Sequence, residues 1–260
     1  MKPDFLDTAV FAAHEAGKIL MSGLNGPKQI QFKGDIDLVT HIDTQSENAI
    51  LTILEERYPS HNILAEESGR RRTRSPYCWI IDPLDGTTNY AHNDPNFAVS
   101  IALEYRKEIV VGVVYDPTRN ELFYAQKGEG AWLNGRRLQV TQEQAMPRAL
   151  LATGIPYARP ELALDLFVRI TAQCQGIRRG GSAALDLAYT AAGRFDGFWE
   201  LLLNPWDVAA GTLLVREAGG KTSDFDGNPY SVYGTETVAT NGRIHNQLLK
   251  GIREITTPAS

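Results

Sequence analysis

A chain of 260 residues is long enough for one large domain or two modest ones around a substantial buried core. With 43% apolar and 22% charged residues it has the make-up of an ordinary globular protein, which excludes a disordered or fibrous chain. Its 26 basic and 31 acidic residues leave a formal charge of −5, which argues against nucleic acid as the main partner, because such binding rests on neutralising phosphates.

The opening stretch MKPDFLDTAVFAAHEAGKIL is broken by charges and lacks the apolar core of a signal peptide. No apolar run approaches the ~20 residues that cross a bilayer, so the expectation is a cytoplasmic protein with no membrane partner. Phe5, Ala9, Ala13, Ala16 and Leu20 recur at helical spacing and predict an amphipathic helix with a narrow, small-residue packing face. A polar stretch with Lys33-Gly34-Asp35 follows. Thr44-x-x-Glu47 reads as a capping box opening a second helix, with Ile50, Ile53 and Leu54 in register and Tyr58-Pro59 as its end. Gly69-Arg-Arg-Arg-Thr-Arg74 is the one charge cluster and reads as a solvated loop, with a polyanion contact as the alternative.

Cys78 to Ile81 predicts a short buried strand, and Phe97, Val99, Ile101 and Leu103 alternate as a half-buried strand should. Ile109–Tyr115 and Leu122–Ala125 read as strands joined by the turn cluster Asp116 to Asn120, and Asn134-Gly135 marks another hairpin. Near residue 145 the character changes. Helix candidates at 161–174, 182–193, 206–218 and 243–254 alternate with short apolar strands, which suggests an α/β half at 146–260 after an α+β half at 1–145. Cys78 and Cys174 stand far apart with no C-x-x-C spacing, so they read as reduced thiols and not as a metal site.

The stretch IDPLDGTTNY (81–90) carries the chemistry. Asp82 follows an apolar strand and so falls at a strand's carboxyl end, where α/β folds bind ligands. Pro83 keeps Asp82 out of a helix, so a turn can aim Asp82, the Leu84 carbonyl and Asp85 into one space. That is a hard-oxygen set of the kind Mg²⁺ or Mn²⁺ prefers. Gly86 and Thr87 can offer backbone N–H groups to an anion, and the Thr87 hydroxyl can orient a water. By itself the stretch is equally a tight turn with two capping aspartates. Other acids at predicted element ends tip the balance: Glu66-Glu67 after Ile63-Leu64, Asp207 in the first turn of an Ala-rich helix, and Asp43 before the capping box.

The segments DLVTHID (37–43), AEES (65–68), WIIDPLDGTTNY (79–90), GSAALDLAYTAAGRFDGFWE (181–200) and PWDVAAGTLLVREAGG (205–220) together resemble the inositol monophosphatase family, with the bacterial branch nearest. The resemblance implies a layered αβαβα sandwich and a Mg²⁺-dependent phosphatase acting on inositol monophosphate through a metal-activated water. It implies a first metal on Glu66, Asp82 and the Leu84 carbonyl, and a second on Asp82, Asp85 and Asp207. A third, weaker metal would share Glu66 through water, with Glu67 in support. Asp43 and Thr87 would pair to position the nucleophilic water, beside Glu66 as a catalytic residue. Gly86 and Thr87 amides would hold the phosphate, and Asp85, Ala183 and Glu200 would contact the alcohol's hydroxyls. It further implies a homodimer and inhibition by lithium. Ala65 departs from a common family glycine.

Three alternatives stand beside this reading. An aspartyl nucleophile of the haloacid-dehalogenase type needs acids two apart before Gly-Thr, whereas Asp82 and Asp85 are three apart. Within the superfamily, fructose-1,6-bisphosphate and other small esters remain possible substrates, although Thr88-Asn89 and Glu200 suit the inositol branch. A regulatory or binding protein with secondary catalysis is the alternative of another class.

Overall fold

The computed structural model describes residues 4–26, 30–32, 38–156 and 160–256; Lys33-Gly34-Asp35 and Asp37 lie outside the described residues. In chain order the helices are α1 (Phe5–Gly23), α2 (His41–Arg57), α3 (Thr87–Ala91), α4 (Pro160–Thr171), α5 (Ala183–Ala191), α6 (Pro205–Glu217) and α7 (His245–Thr256). The strands are β1 (Ile30–Phe32), β2 (Leu38–Thr40), β3 (Asn62–Ala65), β4 (Gly69–Arg71), β5 (Tyr77–Asp85), β6 (Ala98–Tyr105), β7 (Glu108–Asp116), β8 (Glu121–Gln126), β9 (Gly130–Leu133), β10 (Arg136–Arg137), β11 (Leu150–Thr153), β12 (Gly176–Arg178), β13 (Gly197–Leu201), β14 (Lys221–Ser223) and β15 (Glu236–Thr240).

Two main sheets form, an eight-stranded one in the order β10-β9-β8-β7-β6-β5-β3-β4 and a five-stranded one in the order β12-β11-β13-β15-β14. Three apolar clusters show how they stack. One joins the alanine stripe of α1 and Ile50 and Leu54 of α2 to Trp79, Ile81, Val99 and Ile101 of the large sheet. A second puts α5 and α6 between the two sheets, with Leu187 and Leu214 among Ile80, Ala102, Phe198 and Ala239. The third seals the outer face of the small sheet, with Leu166 of α4 and Leu248 of α7 against Leu151 and Trp199. The layers therefore run helix, sheet, helix, sheet, helix, as the family resemblance implies.

Several local expectations need correction. The cap of α2 is Thr40 and not Thr44: Thr40 is extended (φ −112°, ψ 159°), and the Asp43 carboxylate returns to its N–H and hydroxyl. Strand β5 does not end at Ile81 but continues to Asp85, with a register break between Asp82 and Asp85. Pro83 thus makes a bulge rather than a turn, since it can supply no ladder N–H. Strand β6 is buried on both faces and not on one, because helices cover both sides of the large sheet.

His245 pins the small sheet to α7. Ser223 Oγ lies 2.6 Å from the Asp224 carbonyl, which takes its only proton, so Nε2 of His245 donates to Ser223 Oγ at 3.0 Å. Nδ1 then accepts from the Thr240 hydroxyl at 2.9 Å. Burial, helped by the Lys221 charge, pushes this imidazole down from 6.5 to about 4. Above pH ~6.5 the ring is neutral folded or unfolded and adds no pH dependence. Below that pH the unfolded chain binds the proton first, so stability falls until pH ~4, by up to ~3 kcal/mol. Urea midpoints of His245→Gln and wild type are expected to converge between pH 7 and pH 4.5; a constant gap would contradict the neutral ring.

Candidate active site

The site begins with strand register. Strands β3 and β5 run parallel, with Ala65 opposite Ile81, and the Glu66 N–H donates to the Ile81 carbonyl at 3.2 Å. Glu66 and Asp82 therefore emerge side by side at the carboxyl ends of two parallel strands. Strand β6 adds the third acid. Ser100 pairs with Asp82 across the ladder, and its hydroxyl donates to the Trp206 carbonyl at 3.1 Å, which places the first turn of α6 and Asp207 beside the same point. Asp207 Oδ2 accepts from the Asn204 N–H at 2.7 Å, so the acid also caps its own helix.

The bulge turns Asp85 toward α5. Its Oδ2 accepts from Ser182 Oγ at 2.6 Å and from the Ala184 N–H at 2.7 Å, around the buried Ala183. Gly86 follows at φ +98°, and a Cβ there would meet the Asn96 carbonyl at 3.0 Å and the Gly181 carbonyl at 3.3 Å, so only glycine fits. Asn89 Nδ2 donates to the carbonyls of Asn96 and Gly180, and Asn96 Nδ2 also donates to Gly180, which locks the start of α5 against α3. Thr87 Oγ1 stands 3.1 Å from both Asp43 Oδ1 and the Leu84 carbonyl. One buried carboxylate, Asp43, thus caps α2 through one oxygen and meets Thr87 through the other.

The electrostatics are one-sided. Burial, then the charges of Glu66, Asp85 and Asp207, push the Asp82 carboxyl well above the usual range, and the Leu84 N–H alone opposes them. Burial raises Asp85 to about 6 despite the N–H and O–H groups of α5. Burial and the Asp85 charge raise Asp207 well above its ordinary value. No lysine or arginine among the described residues counters any of the three. Among the described residues no three acid, histidine or cysteine side chains converge tightly enough to enclose an ion in this conformation. The donor set is all oxygen, with Asp82 and Leu84 buried, Glu66, Asp85 and Asp207 half-buried, and a surplus of negative charge, which fits a hard divalent cation. Among the described residues the bonds to Asp82 and Asp207 each fall on one carboxylate oxygen, which leaves the other available to a cation.

A second pair of parallel strand ends forms the other wall. Strands β11 and β13 place Thr153 opposite Trp199, so Gly154 and Glu200 are neighbours. A Cβ on Gly154 would lie 2.0 Å from Glu200 Oε1, which excludes any side chain there. Burial, then the charges of Asp186 and Asp85, raise Glu200 well above the usual carboxylate range. In its protonated form Glu200 can donate to, as well as accept from, a ligand hydroxyl.

Asp82, Leu84, Asp85, Gly86 and Thr87 thus form one continuous segment, which the register and hydrogen bonds join to Glu66, Asp43, Asp207 and Ala183, while Glu200 is tied to Asp85 and Asp207 through their charges. Sequence reasoning missed Ser46, Glu47, Asn89, Asn96, Ser100, Ser182 and Asp186 as parts of this framework. Of these only Asn89 carried a signal, as the amide following Asp-Gly-Thr-Thr.

The pattern described as the inositol monophosphatase family matches residues 2–257. The Inositol-1-monophosphatase of a Synechocystis species is 46% identical over 254 residues, covering 95% of this chain and 88% of that protein. The Nus factor SuhB of Escherichia coli (strain K12) is 44% identical over 255 residues, covering 96% of each. The crystal structure of the extragenic suppressor protein suhB from Bartonella henselae superposes with a TM-score of 0.93 at 41% identity, covering 95% of this chain and 98% of that one. The chain belongs to the inositol monophosphatase family and is a phosphate-ester hydrolase.

Proposed function

We propose that this hydrolase removes phosphate from inositol monophosphate with Mg²⁺ held by Glu66, Asp82, the Leu84 carbonyl, Asp85 and Asp207. The observation that carries the reading is Asp82: buried, pressed by three neighbouring acids and, among the described residues, opposed by no base. Residues 1–145 supply most of the ligands, and residues 146–260 supply Asp207 and the wall with Ala183 and Glu200. The family resemblance further supports a cytoplasmic homodimer, lithium inhibition and a weaker third Mg²⁺ on Glu66.

When bound, the metal ions supply a water acidified for attack and positive charge for the departing oxygen. The chain does the rest. The Thr87 hydroxyl gives its one proton to Asp43 or to the Leu84 carbonyl, so its lone pair accepts from the attacking water and fixes that water's direction. The Gly86 and Thr87 amides, on a turn whose positive φ and close backbone neighbours admit only glycine at 86, would receive the phosphate oxygens. Asp85 and the Ala183 backbone face the polyol from one side and Glu200 from the other.

Phosphate release from inositol 1-phosphate, fructose 1,6-bisphosphate, histidinol phosphate and 3′-phosphoadenosine 5′-phosphate, with and without Mg²⁺, tests the reading. Mg²⁺-dependent release should favour inositol 1-phosphate. Preference for another ester would keep the chemistry and move the substrate. Glu200→Ala is expected to lower kcat/KM for inositol 1-phosphate ~10-fold or more while sparing a simple aryl phosphate, since a lost hydroxyl contact costs ~1.4 kcal/mol or more. Equal losses on both esters would remove Glu200 from the polyol.

The relatives named Nus factor SuhB support a second reading, a binding role beside catalysis, for which exposed Arg70, Arg72 and Arg74 at the edge of the large sheet are available. No release from any ester by folded, Mg²⁺-loaded protein would make that reading the leading one.

A further inference from the structure

Helix α2 presents three polar side chains, Asp43, Ser46 and Glu47, at i, i+3 and i+4, all turned inward. Asp43 meets Thr87. Ser46, fully buried, donates its hydroxyl to the Pro83 carbonyl at 2.8 Å, in the middle of the Asp82–Asp85 bulge. Glu47, 3% exposed, accepts the N–H of Glu67 on Oε2 at 2.9 Å and the N–H of Ser68 on Oε1 at 2.8 Å. A helix gains nothing for its own stability by burying a carboxylate to catch two consecutive amides of a distant loop, and the burial is costly unless both oxygens are satisfied. What the arrangement does is tie the segment after Glu66 and the segment between Asp82 and Asp85 to one rigid rod.

We infer that Ser46 and Glu47 are positioning residues that set the spacing of Glu66 from Asp82, and through it the affinity of the site for its divalent cation. The inference rests on the proposed metal-binding role of Glu66 and Asp82. Neither residue touches the substrate; each acts through the backbone that carries a ligand. Glu47→Gln turns one acceptor into an NH₂ that faces an N–H, and Ser46→Ala removes the single bond to Pro83.

A matched control exists at the far end of α6, about 15 Å along the helix from Asp207. There Glu217 captures the N–H groups of Gly128 and Gly130, both at 2.9 Å, in the same two-oxygen manner. The test is calorimetric titration of Mg²⁺ into the metal-free full chain, together with its thermal midpoint, for wild type, Glu47→Gln, Ser46→Ala, Glu217→Gln and Asp82→Asn. Glu47→Gln is expected to weaken Mg²⁺ binding ~10- to 100-fold, the usual cost of losing a support behind a metal ligand, and Ser46→Ala several-fold. Glu217→Gln should lower the midpoint but hold Mg²⁺ affinity within ~2-fold, as a purely structural clamp would. Wild-type affinity in Glu47→Gln and Ser46→Ala, with only the midpoint lowered, overturns the inference. Should Glu47→Gln not fold, Ser46→Ala decides alone, and unchanged affinity there is enough to overturn it. Asp82→Asn separates the two levels: if it binds Mg²⁺ as wild type does, the metal assignment itself has failed, whereas its loss beside intact Ser46→Ala and Glu47→Gln binding overturns the positioning inference alone.

Discussion

Asp82→Asn is expected to lower turnover at least ~10³-fold while leaving the metal-free protein folded and more stable than wild type. As a holder of the proposed metal ions, the Asp82 carboxylate would supply several kcal/mol of charge stabilisation, and ~4 kcal/mol corresponds to a thousandfold in rate. The same charge is a burden without metal. Asp82 is 1% exposed, and Glu66, Asp85 and Asp207 all oppose its ionisation. The asparagine keeps an oxygen for the Leu84 N–H, now held by Asp82 Oδ1 at 2.9 Å, and removes the repulsion. A gain of ~1 kcal/mol would raise the melting midpoint by ~2–4 °C in a chain of this size. Differential scanning calorimetry in chelator and a Mg²⁺ activity assay read the two halves separately. Full activity in the folded variant would end the assignment of Asp82.

Thr87→Val carries the second large effect. It keeps the volume and deletes the hydroxyl that stands 3.1 Å from Asp43 Oδ1 and 3.1 Å from the Leu84 carbonyl. Positioning of an attacking group through such a contact contributes ~10²-fold or more, so kcat should fall by about that factor with KM little changed. Thr87 is the cleaner probe of the pair. Asp43→Asn would also weaken the cap of α2, because Asp43 Oδ2 holds the Thr40 N–H and hydroxyl, at a cost of ~1 kcal/mol in stability. A kcat within threefold of wild type in Thr87→Val would remove this hydroxyl from the attacking water's environment.

The acids of the site were legible in sequence because chain-local rules deliver them. An apolar run ending in Asp82, a proline that cannot join a ladder, and an aspartate in a helix's first turn each have a local physical meaning. The helices at 160–171, 183–191, 205–217 and 245–256 likewise fall close to the expected spans, since each carries its own apolar period and end signals. What was not legible is what depends on pairing across the fold. The parallel match of β3 with β5 sets Glu66 beside Asp82, yet nothing in either segment specifies its partner. Glu47 looked like the end of a capping box because Thr44 precedes it by the right interval. In the folded chain Thr40 and Asp43 make the cap, and Glu47 is released to reach the loop at Glu67 and Ser68. Asn89 stands out in sequence only as a mark of the inositol branch and Asn96 not at all, and only the arrival of Gly180 from a segment far along the chain gives them their structural roles. The buried β6, read as half-exposed from its alternation, shows the same limit: alternation marks a strand, but whether one face or two are covered depends on helices elsewhere.

Anomalous diffraction from crystals grown with Mn²⁺ tests the central claim most directly. The account predicts two peaks ~4 Å apart, one on Glu66, Asp82 and the Leu84 carbonyl, the other on Asp82, Asp85 and Asp207, both lost in Asp82→Asn. Ordered Mn²⁺ elsewhere on the chain, with these carboxylates still engaged only by their internal donors, would contradict it.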